Sequence, residues 1–168
     1  RLGASGLSVL TDEYFFGGSS GDLLQARQNQ IPILRKDFMI DEYQVLEAKS
    51  MGADVILLIA SCLTPSRVKE LAAVAKNLGM EILLEIHQED ELEHICDDVD
   101  LVGVNNRNLR NFEVDIETSV RLSEKIPANK IRISESGISE IAAIQRLKEF
   151  GYKGFLMGEY FMKQPDPS

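Results

Sequence analysis

Glu81-Ile82-Leu83-Leu84-Glu85-Ile86-His87 holds one strand, Glu81–Glu85, and its reading decides the fold. The centre is continuously apolar rather than alternating, as in a strand covered on both faces of a parallel sheet. It closes on a carboxylate, Glu85, which is costly in such surroundings unless a partner meets it. Six further short runs stand around it: Leu7–Leu10, Ile33–Lys36, Val55–Ile59, Leu101–Asn105, Lys130–Ser134 and Gly154–Met157. With Glu81–Glu85 they make seven runs in 168 residues, one every 24.

Helix signals fill the gaps. Thr64-Pro65 sets an N-cap hydroxyl before a proline at the first helical position; Leu71, Val74, Ala75 and Leu78 follow at helical spacing, and Gly79 stops the run. Asp41 opens a helix to Met51 that Gly52 closes. Ser139 opens another, with Ile141, Ile144 and Leu147 on one face and Gly151 after it. Such alternation gives either a (β/α) barrel or a doubly wound sheet. No Gly-x-Gly-x-x-Gly follows a strand, which removes the dinucleotide-binding form of the latter. Five runs instead offer a polar residue at the same end, namely Asp12, Lys36, Glu85, Asn105 and Glu135. That is where a barrel gathers its chemistry. The fold class is therefore α/β, a (β/α)8 TIM barrel, in one domain over residues 1–168. Eight units need about 200 residues or more. Seven leave two open edges, Leu7–Leu10 and Gly154–Met157, an aggregation liability. One strand-helix unit is expected to be missing.

Composition narrows the function classes. The chain is 44% hydrophobic and 27% charged, ordinary for a globular domain with a sizeable core. Asp and Glu outnumber Lys and Arg by 27 to 18, which argues against a general nucleic-acid or anionic-membrane binder. No apolar run approaches a membrane span, and no secretory leader opens the chain, which begins at Arg1. Cys62 and Cys96 fit no metal or redox spacing, so a reduced, cytoplasmic setting is expected.

Among candidate site residues, Lys36 projects to the opposite side from Arg35 and Asp37 by strand alternation, toward a barrel lumen. A desolvated lysine there serves as a general acid or an anion anchor; the competing reading is a charge merely leaving its strand. Glu85 is its expected partner, and such a pair divides acid and base duties unless it is a structural ion pair. Asn105, Asn106 and Arg107 can orient hydroxyls and a carboxylate, although Asn is also common in turns. Ser136-Gly137 and Gly158-Glu159 follow the last two strands, where barrels commonly hold phosphate on backbone N–H groups. Phe15, Phe16 and Phe38 can meet at the barrel mouth and line an apolar pocket. Gly17-Gly18-Ser19-Ser20-Gly21 reads as a loop leading into a helix, and His87 and His94 flank an acidic stretch that reads as a solvated helix face rather than a metal site.

Taken together these stretches resemble the indole-3-glycerol-phosphate synthase family, (β/α)8-barrel enzymes of tryptophan biosynthesis. The resemblance rests on Ser8-Val9-Leu10-Thr11-Asp12-Glu13, Phe16-Gly17-Gly18-Ser19, Leu34-Arg35-Lys36-Asp37-Phe38 with Asp41 and Tyr43-Gln44, Gly52-Ala53-Asp54 and Leu57-Leu58-Ile59. It continues through Glu85-Ile86-His87, Asn105-Asn106-Arg107-Asn108-Leu109, Glu135-Ser136-Gly137-Ile138 and Gly158-Glu159, and so covers almost the whole chain in order. It implies a carboxy-lyase that converts 1-(2-carboxyphenylamino)-1-deoxyribulose 5-phosphate to indole-3-glycerol phosphate, CO2 and water, with no metal or organic cofactor. By resemblance Lys36 is the general acid, and Glu85 the base or the stabiliser of a cationic intermediate. Asn105 and Glu135 hold the hydroxyl and amine region, and Arg107 shapes the site. Ser136, Gly137, Gly158 and the Glu159 backbone lie at the phosphate, with Phe16 and Phe38 against the anthranilate ring. The family's first strand, with a glutamate and a second essential lysine, has no counterpart before Arg1, and its last helix none after Ser168. The seven strands then correspond to strands two to eight. The implied partners are a small phosphorylated substrate and, by fusion or association, another tryptophan-pathway enzyme. Two other readings stand beside it: a phosphoribosylanthranilate isomerase-like barrel, and a catalytically incomplete barrel that binds phosphate.

Overall fold

A computed structural model describes residues 3–108 and 112–165. Leu109, quoted in the amide-rich motif, lies outside the described residues.

Seven strands form one parallel sheet in sequential order: β1 (Leu7–Leu10), β2 (Ile33–Lys36), β3 (Val55–Ile59), β4 (Glu81–Ile86), β5 (Leu101–Asn105), β6 (Ile131–Glu135) and β7 (Tyr152–Leu156). Each neighbour pair is bridged by a crossover, as parallel pairing demands. This is the strand order of a (β/α) barrel, one strand short of eight among the described residues. The helices are α1 (Ser20–Ala26), α2 (Glu42–Ser50), α3 (Pro65–Asn77), α4 (Glu117–Ser123), α5 (Ile141–Glu149) and α6 (Glu159–Met162).

Local chemistry explains most boundaries. Asp41 caps α2 in a full capping box, its side chain accepting from the helix while the Gln44 side chain reaches back to the Asp41 N–H. Thr64 caps α3 with Pro65 in the first turn, and Gly79 follows at φ 68, a conformation that glycine adopts without strain. Ser19 caps α1. Three readings need correction. The residue capping α5 is Glu140 rather than Ser139, with no side-chain cap bond; of the three apolar residues read on one face, Leu147 is buried, Ile144 packs against the core and Ile141 stands 75% exposed. β7 starts two residues before Gly154, because an irregularity between Arg132 and Ile133 pairs Tyr152 with Arg132 and skips Lys153. The acidic stretch forms a 3-10 helix, Glu89–His94, in which Glu91 and His94 are buried rather than solvated; the His94 ring meets the Leu63 and Glu91 carbonyls.

The two faces of the sheet are packed differently. Outward-facing Ile33, Ile56, Leu58, Ile82, Leu84, Val102 and Val104 join Val45, Val68, Leu71, Ala75 and Leu147 of the helices in the main core. The inner face carries a small separate cluster, Leu34, Leu57, Ile59 and Leu83, with Ile133 and Leu156 against it. Because side chains repeat every second residue along a strand, the next inner position after Leu34 is Lys36. After Leu83 it is Glu85, and after Ile133 it is Glu135. An apolar floor thus lies beneath a layer of ionisable groups.

Candidate active site

At the C-terminal ends of the strands that layer opens into a cavity of about 430 Å³. Phe16, Lys36, Phe38, Glu85, Asn105, Arg107, Glu135, Ser136, Gly137, Gly158 and Glu159 all line it. Residues up to 143 positions apart in the chain meet here because each follows or ends a strand of the same sheet.

Lys36 lies at its centre. Its Nζ is 3.1 Å from Glu85 Oε2 and 3.6 Å from Glu135 Oε2. Asn105 Nδ2 donates to the other Glu85 oxygen at 3.1 Å, and Asn105 Oδ1 accepts from the Arg107 backbone N–H at 3.0 Å. Glu85 and Glu135 are almost fully buried. Two carboxylates therefore share one ammonium in a low-dielectric site, where like charges cannot both persist cheaply. Burial works to hold the Glu85 carboxyl up, but Lys36 and the Asn105 amide outweigh it and leave it below its ordinary value. Glu135 goes the other way: burial and the neighbouring Glu85 push it up to about 8, against the pull of Lys36. Burial alone disfavours the Lys36 ammonium, yet the two carboxylates more than offset this and hold it above its usual range. At neutral pH the trio is an ammonium, an ionised Glu85 and a protonated Glu135. This supplies two proton donors and one acceptor within one small volume.

Apolar and backbone walls surround that trio. Phe16 and Phe38 stack at 4.8 Å between centroids and 8° between planes, with Phe15 edge-on to Phe38. Lys36 Nζ lies 5.6 Å from the Phe16 centroid, within cation–π range. Across the cavity, Ser136 and Gly137 turn the chain after β6 with successive positive φ values, 66° and 70°. For serine that conformation is strained by roughly 1–3 kcal/mol, a cost typically met at functional turns. Arg107 pairs with Glu159, which also pairs with Lys163, at the start of α6.

Asp12, read as a strand-end polar group, does not join the Lys36 trio; it caps the loop that follows β1, accepting from the Phe15 and Phe16 N–H groups. That loop is what carries Phe16 to Phe38. The sequence assigns His87 no role, yet its Nε2 lies 3.3 Å from Glu85 Oε1 and its Nδ1 lies 3.7 Å from Glu91. Its i, i+2 relation to Glu85 is the signal the chain offers. Phe15, Ile59, Phe112, Ile138, Leu156, Met157 and Tyr160 complete the lining; of these the sequence singles out Phe15, whereas apolar residues near strand ends look the same in sequence as core. A smaller cleft of about 260 Å³ is lined by His87, Gln88, Glu89, Arg121, Leu122 and Lys125. Its cations are already paired, Lys125 with Glu89 and Arg121 with Asp115.

Comparison with known proteins agrees with this architecture. The family described as indole-3-glycerol phosphate synthase matches residues 1–168. A curated relative of that description from Bacteroides thetaiotaomicron is 52% identical over 166 residues, covering 98% of this chain and 64% of its own length. The Polaromonas sp. relative is 50% identical, covering 98% and 63% respectively. The chain thus spans just under two thirds of the length of these relatives. Among solved structures, a 3-hexulose-6-phosphate synthase from Salmonella typhimurium superposes with a TM-score of 0.78 at 12% identity, covering 95% of this chain and 80% of that one. The tryptophan synthase A-subunit of Pyrococcus furiosus gives 0.65 at 19%, covering 86% and 63%. At such identities these likenesses concern the fold alone. The chain belongs to the indole-3-glycerol phosphate synthase family.

Proposed function

We propose that this member of the indole-3-glycerol phosphate synthase family carries the site that closes 1-(2-carboxyphenylamino)-1-deoxyribulose 5-phosphate to indole-3-glycerol phosphate with loss of CO2 and water. The observation that supports this most is the unequal pair of carboxyls around Lys36, with an aromatic stack on one side and the Ser136-Gly137 turn on the other. Ring closure joins the carboxyl-bearing ring carbon to the ketone carbon of the sugar chain, and the ketone oxygen departs as water. To leave as water that oxygen takes up two protons: the Lys36 ammonium donates the first at ring closure and, recharged from solvent, the second when the hydroxyl departs. The attacking ring becomes cationic; ionised Glu85 stabilises it, and departure of CO2 returns the bonding pair to the ring. Glu85 then takes up the proton released as the new ring becomes aromatic. Asn105 and protonated Glu135 hold the hydroxyl and amine groups, and Arg107 shapes the site beside them. Phe16 and Phe38 receive the anthranilate ring. The phosphate lies against the backbone of Ser136, Gly137, Gly158 and Glu159.

In this reading the seven strands are strands two to eight of one (β/α)8 domain that works in the reducing cytoplasm. Association with another tryptophan-pathway enzyme fits the same reading. No described helix is long and apolar enough to cross a membrane.

The test supplies full-length protein with this substrate and, separately, with phosphoribosylanthranilate, following product fluorescence. Indole product from the first substrate alone is expected. Turnover of the second alone moves the chain to the isomerase chemistry, and binding of phosphate without turnover of either leaves a binding barrel.

A further inference from the structure

Glu135 occupies space that a regular sheet would not leave free. On the inner face of β5 the successive positions are Leu101, Gly103 and Asn105, and the middle one has no side chain. Register sets Gly103 opposite Glu85 on one flank and Ile133 on the other. A Cβ built on Gly103 would overlap Glu135 Oε1 and come within 3.2 Å of Glu135 Cδ and Leu83 Cδ1. Oε1 fills that gap with no hydrogen-bond partner among the described residues, while Oε2 faces Lys36 at 3.6 Å.

We propose that Gly103 is a positioning residue whose missing side chain is the seat of the Glu135 carboxyl beside Lys36. This rests on the reading of the Lys36 trio as catalytic. Glycine in a strand interior weakens the strand, so the fold itself gains nothing from it. The atoms a methyl group would strike belong to the far ends of flexible side chains, which yield without backbone movement. Gly103→Ala therefore displaces the acid and spares the fold. The displaced carboxyl moves out of its burial and away from Glu85, the two influences that hold its proton most strongly.

The experiment uses full-length protein as wild type, Gly103→Ala, Glu135→Asp and the double variant. Carbon-13 carboxyl titration follows Glu135, assigned by its loss in Glu135→Gln, and steady-state kinetics give kcat and KM. In Gly103→Ala the Glu135 midpoint falls from about 8 toward the ordinary carboxylate range. kcat falls at least ~10-fold, and the unfolding temperature is unchanged or higher. Glu135→Asp shortens the acid and clears the overlap, so adding Gly103→Ala to it costs less than about a fifth of the fold-loss seen in wild type. A Glu135 midpoint that does not move in Gly103→Ala overturns the proposal, as does an equal fold-loss in both backgrounds. Absence of turnover in wild type would instead count against the proposed reaction, and the titration would still decide the role of Gly103.

Discussion

Arg35 and Lys36 are adjacent on β2, the first buried and the second partly buried, both paired, and they face opposite sides of the sheet. On the outer side Arg35 is saturated. Its Nε donates to Thr11 Oγ1 at 3.0 Å, Nη1 to the Gln44 carbonyl at 3.1 Å, and Nη2 reaches Asp37 at 2.9 Å and Glu47 at 2.7 Å. Thr11 in turn donates to Asp37 at 2.6 Å. That network ties β1, β2 and α2 together and engages all three nitrogens of the guanidinium. On the inner side one ammonium serves two carboxylates, and Glu135 Oε1 has no partner among the described residues. The fold thus holds two buried ionic clusters on one strand, one complete and one left short. A complete cluster stabilises; one left short keeps polar atoms available for a substrate, and that is the difference between structure and site.

Four changes put this contrast under strain, the largest first. Asp37→Ala removes a buried partner of Arg35 and should cost about 3 kcal/mol in urea unfolding, since breaking a buried pair strands a charge. The folded fraction should keep kcat within about threefold, because Asp37 points away from the cavity. A large kcat loss there would merge the two clusters into one functional unit.

Glu85→Gln should do the reverse. Turnover falls at least ~100-fold, the scale of a general acid-base group, while Lys36 retains Glu135 and the unfolding midpoint moves little. Near-normal turnover would reduce the inner cluster to a second structural pair.

The third contrast is pH dependence. Glu135 has a folded pKa raised above its unfolded value, so the folded state holds that proton longer. Its contribution to stability is fully present below the ordinary carboxylate pKa and is lost as pH rises through about 8. Wild type should therefore lose stability relative to Glu135→Gln across that window, with a slope of at most about 1.4 kcal/mol per pH unit. Parallel curves for the two proteins would mean that Glu135 is ionised throughout.

The smallest effect belongs to Asp41→Ala, which removes the cap of the helix that Arg35 grips. It should cost about 1 kcal/mol by denaturation and leave kcat and the pH profile untouched.

Much of this contrast is legible in the amino-acid sequence. β1, β2, β3 and β5 run as read, because runs of four or five residues rich in Leu, Ile and Val between turn and helix signals have few other uses. Alternation along β2 puts Lys36 on the opposite side from Arg35 and Asp37, and the cost of burying Glu85 points to its partner. Burial of His94 and Glu91 leaves no mark in the chain, because their partners are carbonyls and N–H groups, which every residue carries. Glu47 as the second anchor of Arg35 is equally silent, since an acid on a helix surface looks the same whether or not a cation reaches it.

What the residues alone determined is the parallel barrel order, the end of the strands at which polar groups collect, and the Lys36–Glu85 pair, since periodicity and desolvation act locally and leave a pattern in the chain. Only the tertiary structure decided that Glu135 shares that same lysine, that it stays protonated, and that Gly103 gives it room. Those outcomes depend on the register of three strands and on distances between groups tens of residues apart, where a shift of one position would exchange the two faces of the sheet.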